Sequence, residues 1–269
     1  MKRMMLTGAL LVAGAAAVLA QPTTAPPAQA APAQPAAPKG PAPKSAAELT
    51  ALQAWQAAAQ ANDPDALIKA TDEVLTKFPD TDFKPMLLST EASAYLQKKD
   101  WIKAQIFGEQ ALAADPKSFQ ASLVMADAIG QHIGDHDLDR DEKIAKAEKY
   151  AHQTIDLLNT APKPRPDITD DQWTGYKKPM IGQAYHDIAL AEMTRKGWDA
   201  SIAAFKSAIE NDPQPAYEVQ MAQALQQSGK NDEAIATCDK VLAEPNLHPA
   251  IASAAKGIKA AATQAKGGK

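Results

Sequence analysis

One spacing pattern occurs twice in this 269-residue chain and constrains its fold more than any other feature. Within Leu87–Pro116, Ala92 is followed nine residues later by Trp101, ten later by Ala111 and five later by Pro116. Ala189, Trp198, Ala208 and Pro213 repeat that ruler at a uniform shift of 97 residues, and Lys99 and Asp115 return as Lys196 and Asp212. A ruler of small residue, turn aromatic, small residue and proline implies a repeated structural unit. Hydrophobic residues make up 45% of the chain but aromatics only 5%, with much alanine. That mixture suits closely packed helices better than a β core, which favours β-branched and aromatic residues.

Apolar periodicity places helix pairs along the chain. In the first unit, about 45–80, Ser45-Ala-Ala-Glu48 reads as a capping box. Leu49, Leu52, Trp55 and Ala59 then share a face, and Leu67, Ile68, Thr71, Val74, Leu75 and Phe78 line a second helix. The second unit, about 85–118, presents Leu88, Ala92, Tyr95 and Leu96, then Ile102, Ile106, Ala111 and Leu112 as its inward residues. This stretch resembles the tetratricopeptide repeat family, built of helix–turn–helix units of about 34 residues. Ala92 and Ala189 match the family's small residue midway along the first helix. Ala104 and Ala111 match small positions of the second, and Pro79, Pro116 and Pro213 match the closing proline.

The third unit, about 119–161, places Ala126 34 residues after Ala92, but its second helix (Ile144, Ala147, Ala151, Ile155, Leu158) arrives late. An insert over 134–142 accounts for the delay. There Asp137, Asp139, Asp141 and Glu148 fall at positions one, three, five and twelve of a calcium loop, while Glu142 stands where that loop needs glycine. Asp139 or Asp141 reads equally as a helix cap. His132 and His136 flank Gly134, which reads as a helix end, and no metal or other cofactor is assigned. Residues 160–178 form a long proline-containing connection. Thr169-Asp-Asp-Gln172 opens a short helix through Trp173 and Tyr176, with Trp173 either an exposed anchor or folded back on the array.

The fourth unit, about 182–214, carries Tyr185, Ile188, Ala189, Met193, Ile202, Phe205, Ala208 and Ile209. The fifth, about 215–247, places Cys238 where the fourth has Phe205, making it a core residue. A helix over 248–265 with Ile251, Ala255, Ile258 and Ala262 caps the array. The expected fold is therefore all-α: a tetratricopeptide-like α-solenoid domain over 45–269, of about five units and a capping helix.

Ahead of it, Lys2 and Arg3 precede an apolar run from Met4 to Ala20 that reads as a secretory signal over 1–20, cleaved after Ala20 or retained as an anchor. Residues 21–44 are a Pro/Ala-rich linker, unable to build a core and reaching on the order of 70 Å when extended. The chain is thus expected in the periplasm or outside the cell. Its formal charge of −4 becomes −6 once Lys2 and Arg3 are removed, which disfavours nucleic acid as a partner. The single cysteine excludes an internal disulfide.

The chain carries no nucleophile elbow, phosphate-binding glycine loop, zinc-helix motif or dinucleotide fingerprint, so no enzyme activity is expected. Resemblance to the family implies a groove lined by the first helices that accepts a peptide or helix of a protein partner. By register its candidates are Ser89, Ser93, Gln120, Asp127, Gln183, His186, Leu190, Gln223 and Gln226. That groove reads as neutral, glutamine-rich and partly apolar, without a lysine–asparagine clamp for a peptide carboxylate. The expected function is an exported protein-binding scaffold of the cell envelope. The alternative is a calcium- or surface-responsive structural module of that envelope.

Overall fold

A computed structural model describes residues 40–134 and 136–267. The signal reading and most of the linker reading lie outside the described residues. Within them are eleven helices: α1 (Ala46–Gln60), α2 (Pro64–Lys77), α3 (Lys84–Gln97), α4 (Trp101–Ala114), α5 (Phe119–Gly130), α6 (Arg140–Thr160), α7 (Asp170–Thr194), α8 (Trp198–Asn211), α9 (Pro215–Gln227), α10 (Asn231–Leu242) and α11 (Pro249–Gly267). The helices fall into two compact units, divided between Phe83 and Lys84, where the sequence reading had one domain.

The first unit is the α1–α2 hairpin. Leu52, Trp55, Leu67 and Val74 are buried, and the Trp55 indole donates to Thr71 Oγ1 (3.0 Å). Ser45 Oγ caps the Glu48 amide (3.0 Å), but Glu48 does not return the bond to Ser45. Its carboxylate instead accepts from the Lys44 amide and from the Thr81 hydroxyl, each at 2.6 Å. Glu48 is buried, so these bonds supply the partners that its charge requires. They also draw the segment after α2 back onto α1.

The second unit is a stack of hairpins: α3 with α4, α5 with α6, α7 with α8, α9 with α10. The first helices α3, α5 and α7 pack in succession, and α11 closes the end against α9 and α10. Lys259 and Lys266 of α11 pair with Asp239 and Asp232 of α10. The alanines of the ruler are contact points where helices approach closely: Ala92, Ala126, Ala189, Ala111 and Ala208 are all fully buried.

The inward face of α4 differs from the expected one. Ile102 and Ile106 are exposed, and Ala104, Gly108 and Ala111 face the stack. A β-carbon on Gly108 would come within 2.6 Å of the Met125 sulfur and 3.1 Å of its Cγ, so the buried Met125 side chain of α5 fills the space a larger residue there would need. Small residues, not isoleucines, define the buried stripe of α4.

The first helices α1, α3, α7 and α9 are followed by left-handed residues, Asn62 (φ 54°), Lys99 (φ 60°), Lys196 (φ 63°) and Gly229 (φ 80°), whereas α5 is not. The recurrence of Lys99 as Lys196 thus marks a turn position where glycine costs nothing and lysine is strained. Replacing Lys196 by glycine is expected to raise the stability of the second unit by about 0.5–1 kcal/mol, measured by urea unfolding. A decrease would show that the lysine side chain holds the turn by contacts of its own.

The expected connection over 160–178 and the start of a fourth unit at 182 are both revised. Asp170–Thr194 is one 25-residue helix with Pro179 inside it. The capping box at Thr169 and Gln172 forms as expected, but the helix does not stop at Pro179. Proline removes one backbone donor from a helix. Here the added first turns have other anchors. Trp173 Nε1 donates to the Ala161 carbonyl (3.1 Å), Trp173 stacks on Tyr176 (5.3 Å), and Tyr176 hydrogen-bonds Gln120 of α5. Trp173 is folded back rather than free.

Candidate functional site

The first-helix face of the second unit carries a cluster of polar side chains, built mainly from α5, α7 and α9. Gln183 and His186 lie one turn apart on α7, and Tyr217 and Gln220 one turn apart on α9, so each pair projects from one side of its helix. Tyr217 donates its hydroxyl to Gln183 Oε1 (3.2 Å), and His186 Nε2 meets Gln220 Oε1 (2.8 Å). The His186 ring stacks on Tyr217 (4.5 Å between centroids) and rests against Phe205 of α8 (6.1 Å). Long side chains thus bridge α7 to α9.

Toward α5 the cluster turns acidic. Gln183 Nε2 donates to Asp187 Oδ1 (2.9 Å), and Gln131 donates to Asp127 Oδ1. Asp127, His186 and Asp187 are 7%, 6% and 8% exposed. Asp187 Oδ2 and His186 Nδ1 have no hydrogen-bond partner. His186 Nδ1 lies 3.5 Å from Asp187 Oδ1, within ion-pairing reach. Burial away from water and the Asp127 charge beside it push the Asp187 carboxyl up from its ordinary value to about 6. The neighbouring His186 ring and the Gln183 amide oppose that rise.

The nine groove candidates do not form one site. Asp127, Gln183 and His186 come together in this cluster. Gln120 joins its edge through Tyr176, and Leu190 packs against the apolar core. Ser89 and Ser93 are engaged within α3 and its packing. Ser89 Oγ lies 3.3 Å from Ser118 Oγ and donates to the Pro85 carbonyl (2.7 Å), while Ser93 Oγ donates to the Ser89 carbonyl (3.0 Å). Gln223 is exposed and Gln226 half-buried on α9. Register reasoning missed Gln131, Asp187, Tyr217 and Gln220. The repeat period held a signal for two of them, since Tyr217 and Gln220 lie 34 residues after Gln183 and His186. The face is also not neutral as expected, because two carboxylates sit within it.

The insert arranges its acids differently from a calcium loop. The Lys143 ammonium lies 2.8 Å from Asp137 and 3.0 Å from Asp139, and Asp137 also accepts from the Gly134 amide (2.9 Å). The Lys143 hydrogen bond and charge hold the Asp137 carboxyl below its ordinary value. Glu148 points away and pairs with Arg195 at the end of α7. A lysine therefore occupies the place between the acids that calcium needs. Asp139 stands at the N-cap of α6 without making the side-chain cap bond. Cys238 packs among Val219, Ala222, Val241 and Ala255, and burial pushes its thiol up, away from a reactive thiolate.

No family model and no curated protein matches the chain. Solved structures do resemble it. TTC0263, a thermophilic TPR protein of Thermus thermophilus, is 17% identical with a TM-score of 0.51, over 78% of this chain and 98% of that one. The MamA protein is 17% identical with a TM-score of 0.53, over 75% of this chain and 98% of that one. At that identity the likeness concerns fold alone. It joins the repeated hairpins, the alanine contact points and the left-handed turns in one conclusion: the chain has the all-α fold of tetratricopeptide repeat proteins.

Proposed function

We propose that the chain is a non-catalytic scaffold that binds an extended peptide or a helix of a protein partner on the α5–α7–α9 face. The observation that supports this reading is the shared polar cluster of Gln131, Gln183, His186, Tyr217 and Gln220, with exposed Gln131 and Gln223 at its rim. Glutamine amides offer both donors and acceptors to a peptide backbone. The basic, apolar and small-residue order of residues 2–20 supports action outside the cytoplasm, on a partner in the cell envelope.

The test is cross-linking and capture by the full chain in its native cells, compared with a Gln131→Lys/Gln223→Lys variant. The two lysines add charge and bulk to the face from exposed positions. Capture of a defined partner is expected to fall about tenfold in the variant, with its thermal melt unchanged. Undiminished capture would place the binding surface elsewhere. Fractionation of the same cells, with the mass of the exported chain, tests location. A chain recovered from the cytosol with Met1–Ala20 intact overturns the export reading.

A further inference from the structure

Helix α9 packs against α8 and α10 as well as joining α7 through Tyr217 and Gln220. Neighbouring residues of a helix project about 100° apart. Glu218 and Met221, each one residue beyond that pair, therefore turn to a different side of α9. There they line a cleft of about 270 Å³ with Lys206, Ile209 and Glu210 of α8 and Lys240 of α10. Ile209 and Met221 are half-buried and pack against the apolar core, so they form the apolar part of the lining. Lys206 and Glu210 are exposed, as is Lys240.

Glu218 differs from the other charged residues of the cleft in being only 5% exposed. Its charge is paired, because Oε1 accepts from the Lys240 ammonium at 2.6 Å. Its Oε2 is buried and has no hydrogen-bond partner. A buried acceptor left without a donor costs free energy, and a donor brought by an occupant recovers it. Two lysines and two glutamates leave the lining with no net charge, which favours a neutral occupant over an anion or a cation. An aromatic ring suits the remaining groups: a methionine sulfur makes favourable contact with a ring, and an ammonium is attracted to a ring face.

We propose that the α8–α9–α10 cleft receives one neutral aromatic side chain that carries a donor, tyrosine or tryptophan, from a protein partner. The ring lies on Ile209 and Met221 with Lys206 beside it, and its O–H or N–H is directed to Glu218 Oε2, leaving the Lys240 pair in place. Phenylalanine would fill the same space but leave that oxygen unmet, and leucine would bring neither ring nor donor. Tyrosine and tryptophan are side chains whose polar atom needs a partner once buried, and they are frequent anchors of interfaces. This site is separate from the first-helix face and does not depend on it.

The experiment titrates the full chain with N-acetyl-tyrosine amide and N-acetyl-tryptophan amide, and with the phenylalanine and leucine analogues as controls. Backbone amide chemical shifts are the readout. Saturable shifts confined to the neighbourhood of Lys206, Ile209, Glu218, Met221 and Lys240 are expected with the tyrosine and tryptophan probes. The phenylalanine probe should bind there about tenfold more weakly, and the leucine probe should produce no saturable shift. Glu218→Met removes the acceptor at similar length and leaves Lys240 in water; with its melt intact, it should bring the tyrosine and phenylalanine probes to equal affinity. Lys206→Ala, at an exposed position, should weaken both aromatic donors about threefold. No shift at the cleft with tyrosine or tryptophan, or equal binding of tyrosine and phenylalanine by the parent chain, overturns the proposal. So does an undiminished tyrosine preference in Glu218→Met. If that variant does not fold, the comparison of probes on the parent chain decides.

Discussion

Phe205→Ala is expected to lower the stability of the second unit by about 3–5 kcal/mol, the range for emptying a large buried aromatic site. Over a unit of this size that corresponds to a fall in melting temperature on the order of 10 °C, readable by circular dichroism. Phe205 is fully buried and lies in the core cluster with Ile188, Ala189, Ile202 and Ala208. It also supports the His186 ring, which stacks in turn on Tyr217. The loss should therefore reach the binding face, weakening partner capture at temperatures where the variant remains folded. Phe205→Leu keeps most of the volume and is expected to cost less than about 1.5 kcal/mol. Equal losses in the two variants would mean that the aromatic contact with His186, rather than the filled volume, holds this layer.

The second large effect concerns Asp187 and depends on pH. Its carboxyl is raised in the folded chain to about 6 from an ordinary value of 3.8, so between those values the folded state holds a proton that the unfolded state releases. The stability that this proton confers is fully present below about pH 4 and is lost as pH rises through about 6. Asp187→Asn removes the titration while its side-chain oxygen still accepts the Gln183 bond. The variant should match the parent near pH 4 and exceed it at about pH 7.5 by on the order of 2 kcal/mol. The groups facing Asp187 are Gln183 and His186 on its own helix, and Asp127 on α5 with Gln131 at that helix's end. An Asp127→Asn variant should accordingly bring the Asp187 transition to lower pH. Chemical denaturation at the two pH values decides the matter: a variant no more stable than the parent at the higher pH shows that Asp187 is not held at a cost.

Much of the fold was legible because its signals are local. The spacing of Ala92, Trp101, Ala111 and Pro116, and its copy at Ala189, reports helix–turn–helix geometry that any neighbouring repeat must reuse. The capping box at Thr169 formed as its residues require. Signals that read as breaks were less reliable. The prolines at 162, 164 and 166 suggested a connection reaching to 178, yet α7 starts at Asp170 and runs through Pro179. Trp173 and Tyr176 tie its first turns to Ala161 and Gln120. Hydrophobicity also misassigned Ile102 and Ile106, since the inward face of α4 is its small residues, with the Met125 side chain packed over Gly108.

The candidate site was legible only in its register. Sequence placed Asp127, Gln183 and His186 on first helices, and the 34-residue period links Gln183 and His186 to Tyr217 and Gln220. It could not place Asp187, whose neighbour Ile188 marks an inward stripe, beside Asp127 across the α5–α7 seam. Nor could it show that Lys143 stands between Asp137 and Asp139. The sequence by itself determined the repeating unit, because helix periodicity, capping and turn chemistry act within a few residues. Only the tertiary structure decided which polar groups share a buried space, and that Asp187 keeps an oxygen no donor reaches. Those depend on the distance and rotation between stacked helices, which side-chain volumes across the whole core set together.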